Sequence, residues 1–151
     1  MTSTVLLCSD GSDLALSALS RGLSVIAAAD RTAVATVVEF VHPIDVVGTG
    51  MAGGVISPAE ATRLDEEQVA DGQRVLAETC AHLGLTGAEQ FVLRGSAGPA
   101  LCELAASLPA TVMILGTRGR GGLRRAVLGS VSDHVVRHAP CPVVISGAVD
   151  Q

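Results

Sequence analysis

Lysine, tryptophan and tyrosine are absent from this sequence, and each absence excludes a class of function. All ten basic residues are arginine, so chemistry that needs a lysine amine, such as Schiff-base formation or the Walker A nucleotide site, is excluded. Two phenylalanines are the only residues of the Phe, Trp and Tyr group, which leaves no set of aromatic side chains on which nucleic-acid bases stack. We therefore expect no nucleic-acid partner.

The sequence also lacks a long apolar run and paired cysteines. No run approaches the ~18 residues of a membrane span, and the first residues, MTSTVLLCSDGS, lack the basic start of a secretory signal. These absences predict a cytoplasmic protein without a membrane partner. The four cysteines form no C-x-x-C pair, so we expect buried, reduced thiols and no metal site at Cys8, Cys80, Cys102 and Cys141.

What is present is a hydrophobic composition of single-domain size. The chain has 151 residues, of which 48% are hydrophobic and 17% charged, with a mean hydropathy of +0.49 and a net charge of -5. A chain of this length buries one core without disulfides or metals. Residues 1–151 are therefore expected to form a single domain.

Short apolar runs alternate with segments of helical period. The apolar runs predict five strands, near Val5 to Cys8, Ala33 to Val41, Gln90 to Arg94, Thr111 to Leu115 and Pro142 to Ser146. Apolar residues three and four apart predict helices between the strands. The second helix starts at a capping box, Ser57 to Glu60, and ends at Gly84, and the third starts at Pro99. A fourth runs from about Ser130 to His138.

This alternation of strands and helices predicts the fold class. It favours an α/β fold, a doubly wound five-stranded parallel sheet with helices on both faces. Ligands of such folds bind beyond the carboxyl ends of the strands, where the strand order reverses. The loops after the first, second and fourth strands are therefore the candidate ligand loops.

Three patterns resemble functional motifs but lack the necessary context. Gly48 to Gly53 satisfies G-x-G-x-x-G without following the first strand or opening a helix, which favours a flexible loop. Ser96 lies one residue out of register for a G-x-S-x-G nucleophile elbow. His134 and His138 have a spacing that can chelate a metal, but without a nearby third ligand an interaction with the helix dipole is favoured.

The stretch GTRGRGGLRRAVLGS, residues 116–130, contains five glycines and four arginines in an acidic chain. Glycines allow successive backbone N–H groups to turn toward one point. Gly129 and Ser130 then lead into the N-terminus of the last helix, where free N–H groups and the dipole favour a phosphate, and we expect Ser130 to cap that helix. The stretch predicts an anion site; the alternative is a surface loop whose arginines are solvated.

The same stretch carries a resemblance to a known family. Gly116-x2-Gly119-x9-Gly129-Ser130 matches the complete G-x2-G-x9-G-[ST] signature of the nucleotide-binding universal stress proteins. The segment VLLCSDGSDLALSAL is similar to the family's first strand and helix, and HAPCPVVIS is similar to its closing strand. The resemblance implies a Rossmann-like fold of the adenine nucleotide alpha hydrolase type. It also implies ATP as the ligand, with or without Mg²⁺, and AMP and cyclic AMP as close rivals.

The resemblance further implies which residues contact the nucleotide. Asp10, with Ser9 beside it, and Phe40 at the end of the second strand would meet the adenine. The fourth strand, its loop and the last helix would hold the ribose and phosphates through Leu115, Gly116, Thr117, Arg118, Gly119, Gly129, Ser130, Val131 and Ser132. The chain departs from the family pattern at Thr111, commonly Asp, and at Phe40, usually Val, where the bulkier side chain would narrow the base pocket.

Two functions of different class follow from these residues. The first is a homodimeric, ATP-binding regulatory protein of the stress response that acts on an unknown partner protein; without an evident general base, any hydrolysis is slow. The second is an ATP hydrolase or phosphotransferase that uses Asp10 or Asp133 with Mg²⁺. We expect the homodimer to form through the last strand, because Val143, Val144 and Ile145 would otherwise leave an apolar edge open to uncontrolled pairing.

Overall fold

The computed structural model describes residues 1–38, 57–117 and 128–147. Strands and helices alternate along these residues, as predicted. The strands are β1 (Thr4–Cys8), β2 (Arg31–Val38), β3 (Glu89–Arg94), β4 (Val112–Gly116) and β5 (Val143–Ser146). The helices are α1 (Asp13–Leu23), α2 (Pro58–Leu83), α3 (Ala97–Ser107) and α4 (Ser130–His138).

The five strands form one parallel sheet in the order β3-β2-β1-β4-β5. Successive residues of β1 point to opposite faces, so Leu6 and Cys8 lie in a core with residues of α3 and α4. Val5 and Leu7 lie in a second core with residues of α1 and α2. The predicted doubly wound fold is confirmed. The strand order reverses between β1 and β4, so the carboxyl ends of these two neighbours flank the topological switch point.

The two ends of α2 match the sequence prediction. The Ser57 hydroxyl accepts a hydrogen bond from the Glu60 N–H at 3.2 Å, and the Glu60 carboxylate accepts one from the Ser57 N–H at 3.0 Å. Gly84 ends the helix in the left-handed conformation, with φ of 64°. Both signals are local, which is why the pattern alone located them.

Several predicted boundaries shift by one or two residues. β2 begins at Arg31 because the Arg31 N–H donates to the Ser3 carbonyl at 3.0 Å and its guanidinium pairs with Glu89 at 2.6 Å. α3 begins at Ala97, two residues ahead of Pro99, because a proline fits the first helical turn, where N–H groups lack intrahelical partners. Residues 39–41, the predicted end of β2, lie outside the described residues.

Among the residues that the structure describes, no helix is both long and apolar enough to span a membrane.

Candidate functional site

The site begins where β1 and β4 end side by side. Leu7 is paired with Ile114 in the parallel register, so Ser9 after β1 and Gly116 at the end of β4 lie at the same sheet edge. The parallel hydrogen bonding of the sheet continues one residue beyond the end of β1 and one residue beyond the end of β4. The Ser9 N–H donates to the Ala35 carbonyl at 2.9 Å, and the Thr117 N–H donates to the Ser146 carbonyl at 3.1 Å.

The turn from β1 to α1 holds Asp10 in a defined position. One carboxylate oxygen of Asp10, Oδ1, accepts hydrogen bonds from the Ser12 N–H at 2.9 Å and the Ser12 hydroxyl at 2.6 Å. The Ser12 hydroxyl in turn caps α1 by accepting from the Ala15 N–H at 3.1 Å. Gly11, between them, adopts a positive φ of 79°, which favours glycine. The half-buried Asp10 carboxylate is therefore oriented by its own turn.

The start of α4 is bonded to the end of β4. The Thr117 carbonyl accepts hydrogen bonds from the Gly129 N–H at 2.7 Å and the Ser132 hydroxyl at 3.1 Å. That hydroxyl also lies 3.1 Å from the Gly129 carbonyl, and Ser132 is only 2% exposed. The two ends of the glycine- and arginine-rich stretch therefore meet at Thr117, and the first turn of α4 lies at the same sheet edge as Asp10.

The first turn of α4 presents backbone donors at this edge. Its N-cap is Gly129, not Ser130, so the prediction that Ser130 caps the helix is wrong; Ser130 is the first helical residue and is exposed. Gly129 supplies no side-chain hydrogen bond to the first turn. The acidic residue of this turn, Asp133, is paired with Arg137 one turn further along, at 3.1 Å. This ion pair offsets the negative charge that would otherwise oppose an anion at the helix N-terminus.

Nine of the twelve predicted site residues are described, and they lie at the carboxyl ends of β1 and β4 and at the start of α4. Ser9 and Asp10 follow β1, Leu115 to Thr117 end and follow β4, and Gly129 to Ser132 begin α4. Leu115 contributes only backbone at the edge, because its side chain is 4% exposed and packs in the core beside α3 and α4. Phe40, Arg118 and Gly119 lie outside the described residues, as does Gly48 to Gly53. Sequence reasoning missed Gly11 and Ser12, although a Ser before the helix and a Gly in a tight turn are local signals.

The sequence model of the universal stress protein family matches residues 1–146. The chain belongs to this family. A universal stress protein of Thermus aquaticus, encoded in the QAH/OAS sulfhydrylase 3' region, is 31% identical over 145 residues, which span 96% of this chain and 98% of that protein. The resemblance predicted from the sequence is confirmed.

Two solved structures share the fold over almost the whole chain. A hypothetical protein, MJ0577, superposes with a TM-score of 0.74 at 15% identity, covering 100% of this chain and 99% of that one. A universal stress protein crystallised in complex with cAMP superposes with a TM-score of 0.62 at 25% identity, covering 98% of each chain.

His134, one of the two histidines of α4 in this universal stress protein, lies against Gly98 of α3. The rings of His134 and His138 stack with centroids 4.2 Å apart, and Nδ1 of His138 lies 2.9 Å from the His134 carbonyl oxygen. A Cβ added at Gly98 would lie 2.7 Å from the His134 ring. Within residues 1–38, 57–117 and 128–147, no three His, Cys, Asp or Glu side chains are grouped so as to hold a metal ion.

The cysteines have the character of core residues. All four are free thiols; Cys8 and Cys80 are buried, whereas Cys102 and Cys141 are half-buried rather than buried as predicted. Burial, with smaller contributions from Cys102 and Cys141, raises the pKa of Cys8 to about 12. Burial also raises the pKa of the other three thiols. Because the thiolate is the reactive form, these cysteines are poor nucleophiles at neutral pH.

Proposed function

We propose that this universal stress protein is an adenine-nucleotide-binding regulatory protein, with ATP as its first ligand. The observation that carries the proposal is the joining of α4 to β4 at Thr117, which sets the first turn of the helix beside the end of β1. A negatively charged acceptor, Asp10, and a set of backbone donors thus share one edge at the topological switch point. Parallel α/β sheets bind ligands at this edge.

Asp10 is proposed to contact the adenosine part of the nucleotide, with Ser9 beside it. A carboxylate accepts hydrogen bonds from amino and hydroxyl groups, both of which adenosine carries. The Ser12 contacts all involve Oδ1 and fix the carboxylate before a ligand arrives. Such preorganisation lowers the entropic cost of binding. In the proposal, Phe40 completes the base side.

The phosphates are proposed to lie at the first turn of α4. The N-terminus of a helix offers free N–H groups and the positive end of the dipole, which together favour phosphate. The proposed contacts come from Ser130, Val131 and Ser132, together with Gly116, Thr117, Arg118 and Gly119. Gly129, whose N–H is bonded to Thr117, allows close approach of the phosphates because it has no side chain. The cAMP complex of a related universal stress protein supports the adenine-nucleotide class. The four arginines of residues 116–130 favour the more highly charged ATP, with or without Mg²⁺.

Calorimetric titration of ATP, AMP, cyclic AMP and adenosine tests the ligand. Ser130→Ala removes one hydroxyl contact, and we expect ATP affinity to fall roughly 3- to 10-fold. Ser24→Ala, at the exposed end of α1, is the matched control and should bind as the wild type does.

Gly129→Val gives a sharper test of the phosphate side. Gly129 has φ of -72° and ψ of 167°, an extended conformation that the valine backbone also adopts. In a Gly129→Val protein that melts at the wild-type temperature, a loss of binding therefore reports obstruction of the donors. We expect ATP binding to be lost and weak adenosine binding to be retained. Equal ATP affinity in Gly129→Val and wild type would contradict the phosphate site, and wild type that binds adenosine as tightly as ATP would do the same.

A regulatory role predicts negligible turnover. Asp133 is held by Arg137 and Asp10 by Ser12, so neither carboxylate is arranged as a general base. Steady ATP hydrolysis faster than roughly one per minute, well below the usual enzyme median, would favour the hydrolase or phosphotransferase instead.

We further propose a homodimer through β5, which is the outermost strand of the sheet within the described residues. The bonds from the Met113 N–H to the Pro142 carbonyl and from the Thr117 N–H to the Ser146 carbonyl direct the even-numbered residues of β5 toward β4. The amides of Val143 and Ile145 therefore point to the other side.

Ile145→Pro removes one outward donor without breaking the bonds to β4, and Ile145→Val is its control. In sedimentation equilibrium at micromolar concentration, we expect a dimer for wild type and Ile145→Val and a monomer for Ile145→Pro. A monomeric wild type would end the dimer proposal.

A further inference from the structure

A buried hydrogen-bonded chain joins the turn after β1 to the middle of α2. The Thr79 side chain is 0% exposed, and its hydroxyl donates to the Val75 carbonyl at 2.8 Å. The Ser9 hydroxyl lies 2.9 Å from the Thr79 hydroxyl and accepts a hydrogen bond from the Gly11 N–H at 3.2 Å. Ser9 is only 6% exposed, so the contact is shielded from water.

The direction of this chain follows from counting protons. A hydroxyl has one proton to donate and two lone pairs that accept. Thr79 donates its proton to Val75, so Ser9 must donate to Thr79. The Ser9 oxygen is then free to accept from Gly11. The donors thus run in one direction, from Gly11 through Ser9 and Thr79 to Val75, and each member is satisfied only while the next one is present.

A steric contact fixes the same turn against the same part of α2. A Cβ added at Gly11 would lie 2.9 Å from Cγ2 of Val75, so the Gly11 backbone lies directly on that side chain. Ser9 and Gly11, the two neighbours of Asp10, are therefore both held by the one helical turn from Val75 to Thr79. Neither contact involves the Asp10 carboxylate, which is bonded to Ser12.

We propose that Thr79 is a positioning residue for the adenosine side of the site. Through Ser9 and Gly11, it holds the backbone of Asp10 in the orientation that receives the nucleotide; this role rests on the proposed function of Asp10. Because thermodynamic coupling is reciprocal, a nucleotide that requires this orientation also stabilises the Val75–Thr79 turn against the loop. The state of the site is thereby transmitted to α2, the helix from Pro58 to Leu83.

The test compares Thr79→Val with Thr79→Ser. Valine keeps the shape of threonine but removes the hydroxyl, which leaves the buried Ser9 hydroxyl without its acceptor, whereas serine keeps the hydroxyl. The matched control is Thr111→Val, which removes a hydroxyl bonded to the Thr4 backbone at 2.9 Å and 3.1 Å at the opposite edge of the sheet. All titrations are made well below the melting temperature of each variant.

We expect Thr79→Val to weaken ATP, AMP and adenosine by the same factor, about tenfold, the effect of losing one buried hydrogen bond of ~1.4 kcal/mol. The ratio of AMP to ATP affinity should stay at its wild-type value, because the phosphate side is untouched. A general loosening of the fold would also disturb the phosphate side and would therefore change this ratio. Thr79→Ser should stay within about twofold of wild type, and so should Thr111→Val.

A second measurement needs no ligand. Amide exchange followed by NMR in the free protein should show the Gly11 N–H exchanging about tenfold faster in Thr79→Val, with no change in Thr111→Val. Wild-type affinity in Thr79→Val overturns the positioning role, and so does unchanged Gly11 exchange. If the wild type binds no adenine nucleotide, the proposed function fails by itself, and the Gly11 exchange rate then decides whether Thr79 holds the turn.

Discussion

The stability of this protein is expected to fall steeply above pH 9, and Cys8 is the main reason. The chain has no lysine and no tyrosine, so its four thiols are the only side chains whose ordinary pKa lies between those of histidine and arginine. Burial raises the pKa of Cys8 from 9.0 to about 12, with smaller contributions from Cys102 and Cys141. In the unfolded chain the same thiol ionises near its ordinary value.

The sign and size of the effect follow from linkage. The folded pKa is above the unfolded one, so the contribution of Cys8 is fully present below pH 9 and is lost as the pH rises through the window from 9 to about 12. The loss is ~1.4 kcal/mol per pH unit, or on the order of 4 kcal/mol over the window. Burial raises the pKa of the other three thiols too, which adds to the loss with the same sign. The whole free energy of unfolding of a small domain is only about 5–15 kcal/mol, so a loss of this size is large.

Urea unfolding followed by circular dichroism at several pH values measures this directly. Cys8→Ala should be less stable than wild type at pH 8, because it leaves a cavity, but its stability should decline less steeply above pH 9. Ile114→Val, a buried truncation on the neighbouring strand, should lower stability equally at every pH. Parallel stability profiles for wild type and Cys8→Ala would refute the assignment to Cys8.

Two further predictions concern the helices. Ser57→Ala removes the capping box and should lower the free energy of unfolding by about 1 kcal/mol, a fall of roughly 2–4 °C in melting temperature. Ser57→Asp should retain most of the stability that the cap contributes. A melting temperature unchanged by alanine would show that the cap contributes nothing. Gly98→Ala places a methyl group 2.7 Å from the His134 ring and should cost about 1–3 kcal/mol, and Gly98→Ala combined with His134→Ala should recover most of that loss. Thermal denaturation checks both, and a double variant no more stable than Gly98→Ala would contradict the clash.

The sheet was predictable because its signals are local and repeated. Leu6, Leu7 and Cys8 are continuous apolar residues, as expected of a strand covered on both faces, and all three are buried. The capping box at Ser57 and the glycine at position 84 mark α2 through residues within one turn of its ends. Patterns of this kind need no knowledge of what packs against them.

The packing of α1 was less predictable, because small residues form its buried face. Apolar residues three and four apart predict a buried face of Leu16, Leu19, Leu23 and Ile26. Leu19 is buried, and Leu23 and Ile26 are partly buried against the same core, but the other buried residues of the helix are Ala15, Ala18 and Gly22. A Cβ at Gly22 would lie 2.4 Å from Cγ2 of Ile114, so the helix approaches the sheet closely at this point. Such an approach depends on the partner surface, which hydrophobic periodicity does not contain.

In the candidate site, too, some residues could be predicted from the sequence and others could not. The family resemblance located both segments, the one after β4 through the glycine signature and the one after β1 through VLLCSDGSDLALSAL, and the structure sets these segments at one end of the sheet. Thr79 could not be identified from any local pattern, since it is 70 residues from Ser9 in the chain and contributes through one buried contact. A mid-helix threonine carries no signal of its own that tells a bonded hydroxyl from an exposed one.

The two sides of the proposed site are held by different kinds of contact, and this difference governs how nucleotides are distinguished. The adenosine side depends on the Ser9 side chain, which is bonded to Thr79 of α2, and on the Gly11 backbone, which lies against Val75 of the same helix. The phosphate side is joined by a backbone bond, from the Gly129 N–H to the Thr117 carbonyl, so both ends of the intervening stretch are already together before a ligand binds. Phosphate binding therefore does not have to bring those ends together, and the entropy of loop closure does not lower its affinity. We therefore expect substitutions at Thr79 to change the affinity for every adenosine ligand alike. Substitutions among the arginines of residues 118–125 should change only the relative affinities for ATP, AMP and cyclic AMP. This effect should be strongest at low salt, where exposed charges are least screened.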